Sequence, residues 1–430
     1  MEQGYLISNT PAASHIIYLE EEIEMVIPGY VEVKDNINEI QLHSLLNDTM
    51  IRLTDPKYVD DFRQIWKGED VNNIELVNGL KDSDMLIDSN RFKVITNDIR
   101  AYMEKHLVLT ILPTEACNFR CKYCYEKHDD IRISEAVMDE VIEYIRDKAA
   151  ELKNISVNWF GGEPTLMPEL IIKYSGLIKR IAEENGIVFK ASMTTNGYLL
   201  TVDMFKRFYD VGINNYQITL DGFEHDEKRV LVNGAPTLKK ILGNLRAIKL
   251  LSSEYKFIII LRRNILKNED LEWYDFLADG FAEDIRFRIN IRKVSDLGGD
   301  EVKKLELIKE DDVDVMERHV KYASRHFKIL DETITERPFS KMCYAAYPKG
   351  FVICADGTIE KCTAILHDKR NVVGRVIPGN GVYINEDKNR IWSTVDIKEH
   401  CMSCKSALSC NNLDCPGKSI FGDGLRCDNA

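Results

Sequence analysis

Cysteine is absent from the first 116 residues of this 430-residue chain, although the whole chain contains 11 cysteines. No apolar run approaches the length of about 18 residues that a membrane-spanning helix needs. The segment from Met1 to Tyr5 has neither the basic region nor the apolar core of a secretion signal. Basic residues are also too few for a nucleic-acid-binding surface, because 57 Lys and Arg stand against 70 Asp and Glu, a net charge of −13. These absences predict a cytoplasmic protein without a membrane or nucleic-acid partner.

The composition is that of a soluble globular protein, with 44% hydrophobic and 30% charged residues. A chain of this length exceeds one ordinary hydrophobic core, so we expect two or three domains. Thiols stay reduced in the cytoplasm, and the cysteines are therefore interpreted as metal ligands before disulfides. Three of them lie in one short loop and the other eight follow residue 340.

The three-cysteine loop contains Cys117, Cys121 and Cys124 and follows the apolar run Leu107–Leu112. Such a run predicts a buried strand, and α/β folds place their chemistry at the carboxyl ends of strands. Thiolates hold iron–sulfur clusters, and three ligands leave one iron of a four-iron cluster open to a substrate or cofactor. Zinc and unliganded buried thiols are the alternatives, but zinc sites usually begin with a two-residue gap between cysteines, whereas the first gap here has three residues.

From about residue 106 to 310 the chain alternates strand and helix patterns, as βαβ units do. Two of the predicted helices are Ile133–Lys148 and Leu166–Glu184. Six strands are predicted, at Leu107–Leu112, Ile155–Phe160, Lys190–Thr194, Asn215–Leu220, Phe257–Leu261 and Arg286–Ile291.

Short motifs follow three of these strands. Paired glycines expose backbone groups to a close ligand, and an arginine suits a carboxylate because its fork bonds both oxygens. Asn-Gly alone is a common turn dipeptide, and an isolated arginine is usually a solvated charge. The motifs are Gly161-Gly162-Glu163-Pro164, Thr194-Thr195-Asn196-Gly197, and Gln217-Ile218-Thr219-Leu220-Asp221-Gly222 followed by His225, Asp226 and Arg229.

The C-x3-C-x2-C loop and these motifs resemble the radical S-adenosylmethionine (SAM) superfamily. The resemblance implies an α/β fold with a partial (β/α)6 barrel, a [4Fe-4S] cluster on Cys117, Cys121 and Cys124, and SAM on the open iron. It implies a 5'-deoxyadenosyl radical that abstracts hydrogen, and leaves the catalytic base unknown. The residues that it implies for cofactor binding are Tyr123, Gly161, Gly162, Glu163, Thr195, Asn196, Thr219 and Arg229.

The cysteines after residue 340 resemble the SPASM extension of peptide-modifying radical SAM enzymes, with a four-residue gap where three are usual before the penultimate cysteine. Eight thiolates satisfy two further four-iron clusters, three in all. The resemblance implies one cluster on Cys343, Cys362 and Cys415 and a second on Cys401, Cys404, Cys410 and Cys427. A predicted hairpin brings Cys354 near Cys362 as a fourth ligand; otherwise Cys354 is a buried thiol and that cluster has an open site. Structural zinc is the alternative for the whole set.

The first 105 residues carry little obvious chemistry. Strands are predicted at Ile16–Leu19 and Tyr30–Val33 with a turn at Pro28-Gly29, followed by helical spacing in residues 37–46, 58–66 and 71–86. This order resembles a winged-helix-like domain that grips a leader peptide by strand addition; the alternative is a cap that only packs on the barrel. The expected domains are this one over 1–105, the barrel over 106–310, a bridging helix over 311–340 and the SPASM domain over 341–430.

The function that this resemblance implies is maturation of a ribosomally made precursor peptide, with flavodoxin or ferredoxin as external electron donor. A thioether cross-link is favoured, and a lysine–tryptophan carbon–carbon link comes next. Sulfatase maturation ranks third, because its enzymes carry an aspartate where this chain has Thr363. A non-enzymatic iron–sulfur electron carrier needs neither the Gly-Gly-Glu-Pro turn nor Arg229.

Overall fold

The computed structural model describes residues 17–19, 23–44, 46–47, 49–267, 270–309, 312–327, 343–393 and 402. These residues form two compact units. Unit 1 comprises the described residues up to Met103 together with 343–346, Ser393 and Met402. Unit 2 comprises the described residues of 104–327 and those from Tyr347 to Trp392.

Unit 1 contains two small antiparallel sheets followed by three helices. One sheet pairs β1 with β2, and the other has the order β3-β4-β5. The elements are β1 (Ile17–Leu19), β2 (Ile23–Met25), β3 (Val31–Asn36), β4 (Glu39–Ser44), β5 (Met50–Leu53), α1 (Pro56–Lys67), α2 (Ile74–Asp82) and α3 (Ser89–Glu104).

The helices of unit 1 start and stop where the sequence signals them. Asp55 caps α1 by accepting from the Lys57 amide at 2.8 Å, and Pro56 occupies the first turn. Gly68 ends the helix in the left-handed conformation with φ of 77°. The helix predicted within 58–66 is therefore confirmed.

Two other expectations for this region are wrong. The predicted strands on either side of Pro28-Gly29 do not pair with each other, because β1 pairs with β2 and β3 pairs with β4. Residues 37–46 contain strand β4 and no helix. The helix predicted within 71–86 is confirmed, with the narrower bounds Ile74–Asp82. Helix α3 was not expected.

Unit 2 is organised around one mixed sheet of ten strands, in the order β13-β12-β10-β9-β8-β6-β14-β15-β16-β17. Its first six strands pair in parallel, which confirms the predicted βα core. The strands of the unit are β6 (His106–Ile111), β7 (Phe119–Cys121), β8 (Asn154–Trp159), β9 (Val188–Thr195), β10 (Ile213–Thr219), β11 (Arg229–Leu231), β12 (Ile258–Ile265), β13 (Phe287–Lys293), β14 (Gly350–Ile353), β15 (Thr358–Glu360), β16 (Val372–Ile377) and β17 (Gly381–Ile384).

Helices follow most of the strands of unit 2. They are α4 (Glu135–Lys148), α5 (Pro168–Glu184), α6 (Val202–Asp210), α7 (His225–Lys228), α8 (Leu238–Lys249), α9 (Glu272–Phe281), α10 (Val313–Ala323) and α11 (Glu386–Ser393). Helices α5 and α9 pack on one face of the parallel sheet. Helix α10 falls within the bridging helix expected over 311–340. None of the described helices is long and apolar enough to cross a membrane.

The two faces of the parallel sheet differ in chemistry. On one face, Trp159 bonds Ser175 of α5 at 2.9 Å, and the ring of Phe287 lies 4.9 Å from that of Phe281 in α9. Neighbouring strand residues alternate between faces, so the residues beside these, such as Asn158 and Arg288, lie on the face turned away from the helices. We call this second face the inner face.

The C-terminal part of unit 2 extends the sheet beside its first strand. Strand β14 runs parallel to β6, with Ile353 opposite Ile111. Strand β15 returns antiparallel to β14, so the predicted hairpin is confirmed. Its turn therefore lies beside the end of β6, where the three-cysteine loop begins.

Candidate functional site: the three-cysteine loop and its supports

The loop after β6 presents the three cysteines as free thiols. The Phe119 amide donates to Cys117 Sγ at 3.4 Å, and His128 Nε2 lies 3.2 Å from Cys124 Sγ. Donors near a ligating sulfur adjust the properties of a bound metal cluster. The loop therefore carries polar support for sulfur ligands as well as the sulfurs themselves.

Burial raises the pKa of all three thiols, that of Cys124 to about 12. At Cys121 the guanidinium of Arg229 acts in the opposite direction and favours the thiolate. Without a metal these groups are protonated at neutral pH. Metal binding at the loop must therefore release protons, as binding by thiolates requires.

Arg229 reaches the loop through a short strand pair. Strand β7 pairs antiparallel with β11, and Arg229 stands directly opposite Cys121. The Lys122 amide extends the contact by donating to the Lys228 carbonyl at 2.9 Å. The cysteine and arginine, 108 positions apart in the chain, are thus fixed together by backbone hydrogen bonds.

The Tyr123 hydroxyl is the centre of a buried polar network. It donates to Asp221 and accepts from Arg229 Nη1 at 2.8 Å and from Asn264 Nδ2 at 3.1 Å. The Asn264 amide in turn donates to Asp221 Oδ1 at 2.9 Å. Burial raises the pKa of Tyr123 well above its ordinary value, so the phenol stays protonated. Tyr123 therefore links the cysteine loop to the ends of β10 and β12.

Both carboxylate oxygens of Glu163 accept hydrogen bonds from the protein. Oε1 accepts from the Thr165 amide at 3.0 Å and from Thr195 Oγ1 at 2.6 Å, and Oε2 accepts from the Asn196 amide at 2.8 Å. Burial raises its pKa, while these donors favour the ionised form. These hydrogen bonds tie the ends of β8 and β9 together through Glu163, and the contact with the cofactor that is expected of Glu163 stays a prediction.

The two glycines before Glu163 pack directly against the start of the loop. Gly161 has φ of +100°, a conformation that favours glycine. A Cβ at Gly162 would overlap the backbone oxygens of Glu115 and Ala116. The Glu163 amide donates to the Ala116 carbonyl at 2.9 Å. Close backbone approach at this turn therefore fixes the residue before Cys117.

The remaining expected contacts lie at adjacent strand ends. Asn196 Nδ2 donates to Asn118 Oδ1 at 2.8 Å, which joins the end of β9 to the loop. Thr219 is buried at the end of β10, in register with Arg262. The structure thus gathers Tyr123, Gly161, Gly162, Glu163, Thr195, Asn196, Thr219 and Arg229 around the three cysteines.

Two residues of this network, Asp221 and Asn264, are not among the residues that the sequence predicts for cofactor binding. Asp221 stands in the quoted Asp-Gly motif but had no assigned role, and Asn264 had no motif at all. Asn264 lies near the carboxyl end of β12, and the other partners of Tyr123 also lie at strand ends. The rule that ligand sites collect at those ends is the signal that would have found it.

The structure describes three of the eight C-terminal cysteines. Cys343 lies in unit 1 and Cys354 and Cys362 in unit 2, while Cys401, Cys404, Cys410, Cys415 and Cys427 lie outside the described residues. Cys354 is 1% exposed. Burial is the largest cause of its raised pKa, and the neighbouring carboxylate of Glu360 is the second.

The hairpin does not pair Cys354 with Cys362, contrary to the expectation that it brings them together. The Cys354 amide donates to the Thr358 carbonyl at 2.9 Å, and β15 ends at Glu360, two residues before Cys362. Cys362 follows Thr358 by four residues, a span of up to about 13 Å at a rise of about 3.3 Å per residue. The hairpin therefore favours the alternative in which Cys354 is a buried thiol at its turn.

The class of the protein follows from a comparison with known families. Residues 111–277, from the end of β6 into α9, match the Radical SAM superfamily. Over these residues the chain is similar to that superfamily, whose members are enzymes that use a [4Fe-4S] cluster and SAM.

Particular relatives match only parts of the chain. The GTP 3',8-cyclase of Tolumonas auensis is 33% identical over 141 residues, 32% of this chain and 40% of the relative. The GTP 3',8-cyclase of Clostridium perfringens strain SM101 is 30% identical over 182 residues, 42% of this chain and 54% of the relative. The chain spans about half the length of the curated relatives it matches.

Solved structures resemble the fold over a larger share. Native anSMEcpe with bound AdoMet and Cp18Cys peptide has a TM-score of 0.53 and 18% identity, covering 71% of this chain and 88% of that one. Native anSMEcpe with bound AdoMet alone has a TM-score of 0.52 and 16% identity, covering 70% and 88%. At these identities the likeness concerns the fold alone.

The residues of the site fit the cofactors of a radical SAM domain. Three thiols without disulfides are the soft donors that an iron–sulfur cluster requires. Arg229 Nε is buried and has no hydrogen-bond partner among the described residues. A buried guanidinium with an unused donor suits a carboxylate such as that of SAM.

Proposed function

We propose that this chain is a radical SAM maturase that installs a cross-link in a ribosomally made precursor peptide. The observation that carries the radical chemistry is the pairing of Cys121 with Arg229 beside the Tyr123 network. Cys117, Cys121 and Cys124 would hold the four-iron cluster with one iron open. When bound, the cluster and SAM supply a 5'-deoxyadenosyl radical that removes hydrogen from the substrate.

The chain's own residues orient these partners. Arg229 has one nitrogen on Tyr123 and its Nε unpaired, so it can bind the SAM carboxylate without losing its anchor. Asp221 and Asn264 hold the Tyr123 hydroxyl and so fix where Arg229 points. Thr219 lies beside them at the end of β10 and offers a hydroxyl to the same ligand.

A peptide substrate is supported by both ends of the chain. The C-terminal cysteine spacing resembles SPASM maturases, with proposed auxiliary clusters on Cys343, Cys362 and Cys415 and on Cys401, Cys404, Cys410 and Cys427. In the small sheet of unit 1, β3 and β5 each pair on one side only within the described residues. An extended leader peptide can add to such an edge by strand pairing. A neighbouring fold, anSMEcpe, has been solved with a peptide bound.

The type of cross-link follows from the proposed auxiliary clusters. Because Cys354 is not beside Cys362, a cluster on Cys343, Cys362 and Cys415 keeps an open iron that a substrate thiolate can occupy. We therefore favour a thioether, with a lysine–tryptophan carbon–carbon link as the alternative. Flavodoxin or ferredoxin is the proposed external electron donor. The GTP 3',8-cyclases match only part of this chain and part of their own length, so the match carries no argument about the substrate.

The test begins with anaerobically reconstituted, reduced protein and SAM alone. We expect release of 5'-deoxyadenosine, and its absence would favour a plain electron carrier. Coexpression with a candidate precursor peptide from a neighbouring short reading frame should then remove two hydrogens per cross-link, read by mass spectrometry. Fragmentation that places the link on a cysteine supports the thioether, and a peptide left unchanged contradicts the maturase assignment.

A further inference from the structure

The inner face of the parallel sheet is polar and positively charged. None of its positions on the six parallel strands is Asp or Glu, although the whole chain has a net charge of −13. The basic residues at these inner positions are Lys190, Arg262, Arg288 and Arg292. A wall of one sign inside an acidic protein indicates a ligand of the opposite sign.

The arginines of this region differ in what they contact. Arg263 faces the helices, where its guanidinium lies 4.6 Å from the centre of the Tyr274 ring. Arg262 on the inner face donates from Nε to Asn264 Oδ1 at 2.8 Å. Arg288 Nε is buried and has no hydrogen-bond partner among the described residues. A guanidinium is always charged, and leaving its donor buried without a partner costs stability.

Arg288 lies deeper than the SAM-binding groups. It is in register with Ile260 and Gln217, whereas Thr219 and Arg262 stand two residues further toward the strand ends. At about 3.3 Å per residue this places Arg288 roughly 7 Å below them. Thr194, Gln217 and Arg288 share one row, and all three keep partial exposure. The row is therefore accessible and separate from the proposed SAM contacts.

We propose that Arg288 binds an anionic oxygen group of the substrate. The guanidinium fork matches a carboxylate or a phosphate with two parallel hydrogen bonds. Gln217 lies in the same row two strands away, with Ile260 between them, and so lines the site without sharing the anion. Holding the anion below the radical source leaves the neighbouring part of the substrate pointing toward the cysteine loop. This is positioning, which lowers the barrier by fixing the reacting atoms in place.

The inference rests on the proposed function and adds the charge of the substrate to it. In a peptide, the anion is an acidic side chain or the C-terminal carboxylate. In a nucleotide, it is a phosphate. Both sources offer two anionic oxygens that a guanidinium can bond together, so the experiment uses one probe for each.

The test measures binding to the full-length, anaerobically reconstituted protein by titration calorimetry. The probes are a short capped peptide with one glutamate, the same peptide with glutamine, and sodium tripolyphosphate. We expect the glutamate peptide or tripolyphosphate to bind, and Arg288→Gln to weaken that binding at least about tenfold, since hydrogen bonds between charged groups are strong. The exposed Arg180 on α5 provides the matched control, because Arg180→Gln removes the same charge from the helix layer.

The variants are chosen so that each result is informative. Arg288→Lys keeps the charge without the fork and should bind with intermediate affinity; it also carries the test if Arg288→Gln does not fold, as judged by iron content and circular dichroism. Equal affinity in wild type and variants, binding of neither anionic probe, or a loss of SAM affinity in place of probe affinity each overturns the inference. Failure of SAM cleavage by the wild type instead counts against the proposed function.

Discussion

At the scale of single residues, the site depends on a histidine that touches no cysteine. The Asp221 amide donates to His225 Nδ1 at 3.2 Å, so the ring proton is on Nε2, which donates to Thr237 Oγ1 at 3.1 Å. Thr237 passes the contact on by donating to the Arg229 carbonyl at 2.7 Å. A neutral His225 therefore holds both the Asp221 backbone and the segment that carries Arg229.

This histidine predicts a pH dependence of stability. Burial lowers its pKa from 6.5 to about 4 on folding. Between pH 6.5 and pH 4, His225 is protonated in the unfolded chain but neutral in the folded one. The contribution of neutral His225 to the free energy of unfolding is therefore complete above about pH 6.5 and is lost as the pH falls toward 4. Glutamine has a donor and an acceptor but does not titrate. From pH 7 to pH 5, His225→Gln should therefore lose about 2 kcal/mol less free energy of unfolding than wild type. Denaturant titrations at both pH values measure this, and parallel losses would contradict it.

At the scale of secondary-structure elements, the turn after β8 fixes the position of the residues that begin the cysteine loop. The Gly162 amide donates to the Thr114 carbonyl at 3.2 Å, and the next amide bonds the Ala116 carbonyl. Thr114 lies three residues before Cys117, and Ala116 immediately before it. The position of the first ligand is thus set by a neighbouring strand end and not by the loop alone.

A methyl group at this turn should therefore disturb the metal site. In Gly162→Ala the added Cβ meets the backbone oxygens of Glu115 and Ala116, which cannot move without shifting the loop. We expect iron bound per chain to fall and 5'-deoxyadenosine release to drop at least about tenfold, as misplacement of reacting groups does.

The control for this change is Gly243→Ala in the middle of α8, where a Cβ meets nothing within 4 Å. That substitution should raise stability by about 0.5–1 kcal/mol and leave the iron content unchanged. Normal iron loading in Gly162→Ala would show that the loop tolerates the methyl group.

The same scale shows why parts of the fold could be predicted from the sequence and others could not. The six parallel strands are short apolar runs between helices, and their periodicity locates them within a few residues. In β4, Ile40, Leu42 and Ser44 are buried and alternate with less buried residues, which is the period of two that a strand has. The exposed Ile37 lies three residues before Ile40, a helical spacing, and this apolar residue obscures the period of two in the sequence. Tyr123 could be proposed from its place in the cysteine loop, but its partner Asn264 lies 141 residues away and depends on strand register.

At the scale of the whole molecule, the number of clusters is the main consequence of the proposed function. Three cysteines lie at the loop, and seven of the remaining eight are proposed cluster ligands. Cys354 is left out of the proposed ligands because it lies at the turn of the hairpin, whereas Cys362 lies beyond the end of β15. Iron counting can therefore distinguish ligands from the buried thiol.

Replacing Cys117, Cys121 and Cys124 with alanine should remove one cluster, about four of about twelve iron atoms per chain, and abolish 5'-deoxyadenosine release. Cys354→Ala should retain all the iron, because its sulfur lies at the turn and contributes only packing. Cys362→Ala is the matched comparison on the same hairpin, and it should lose the iron of one auxiliary cluster. Colorimetric iron assays and the ultraviolet–visible spectra of the anaerobic proteins measure all three. If Cys354→Ala lost as much iron as Cys362→Ala, both cysteines would be ligands and the hairpin would have to differ from the register seen here.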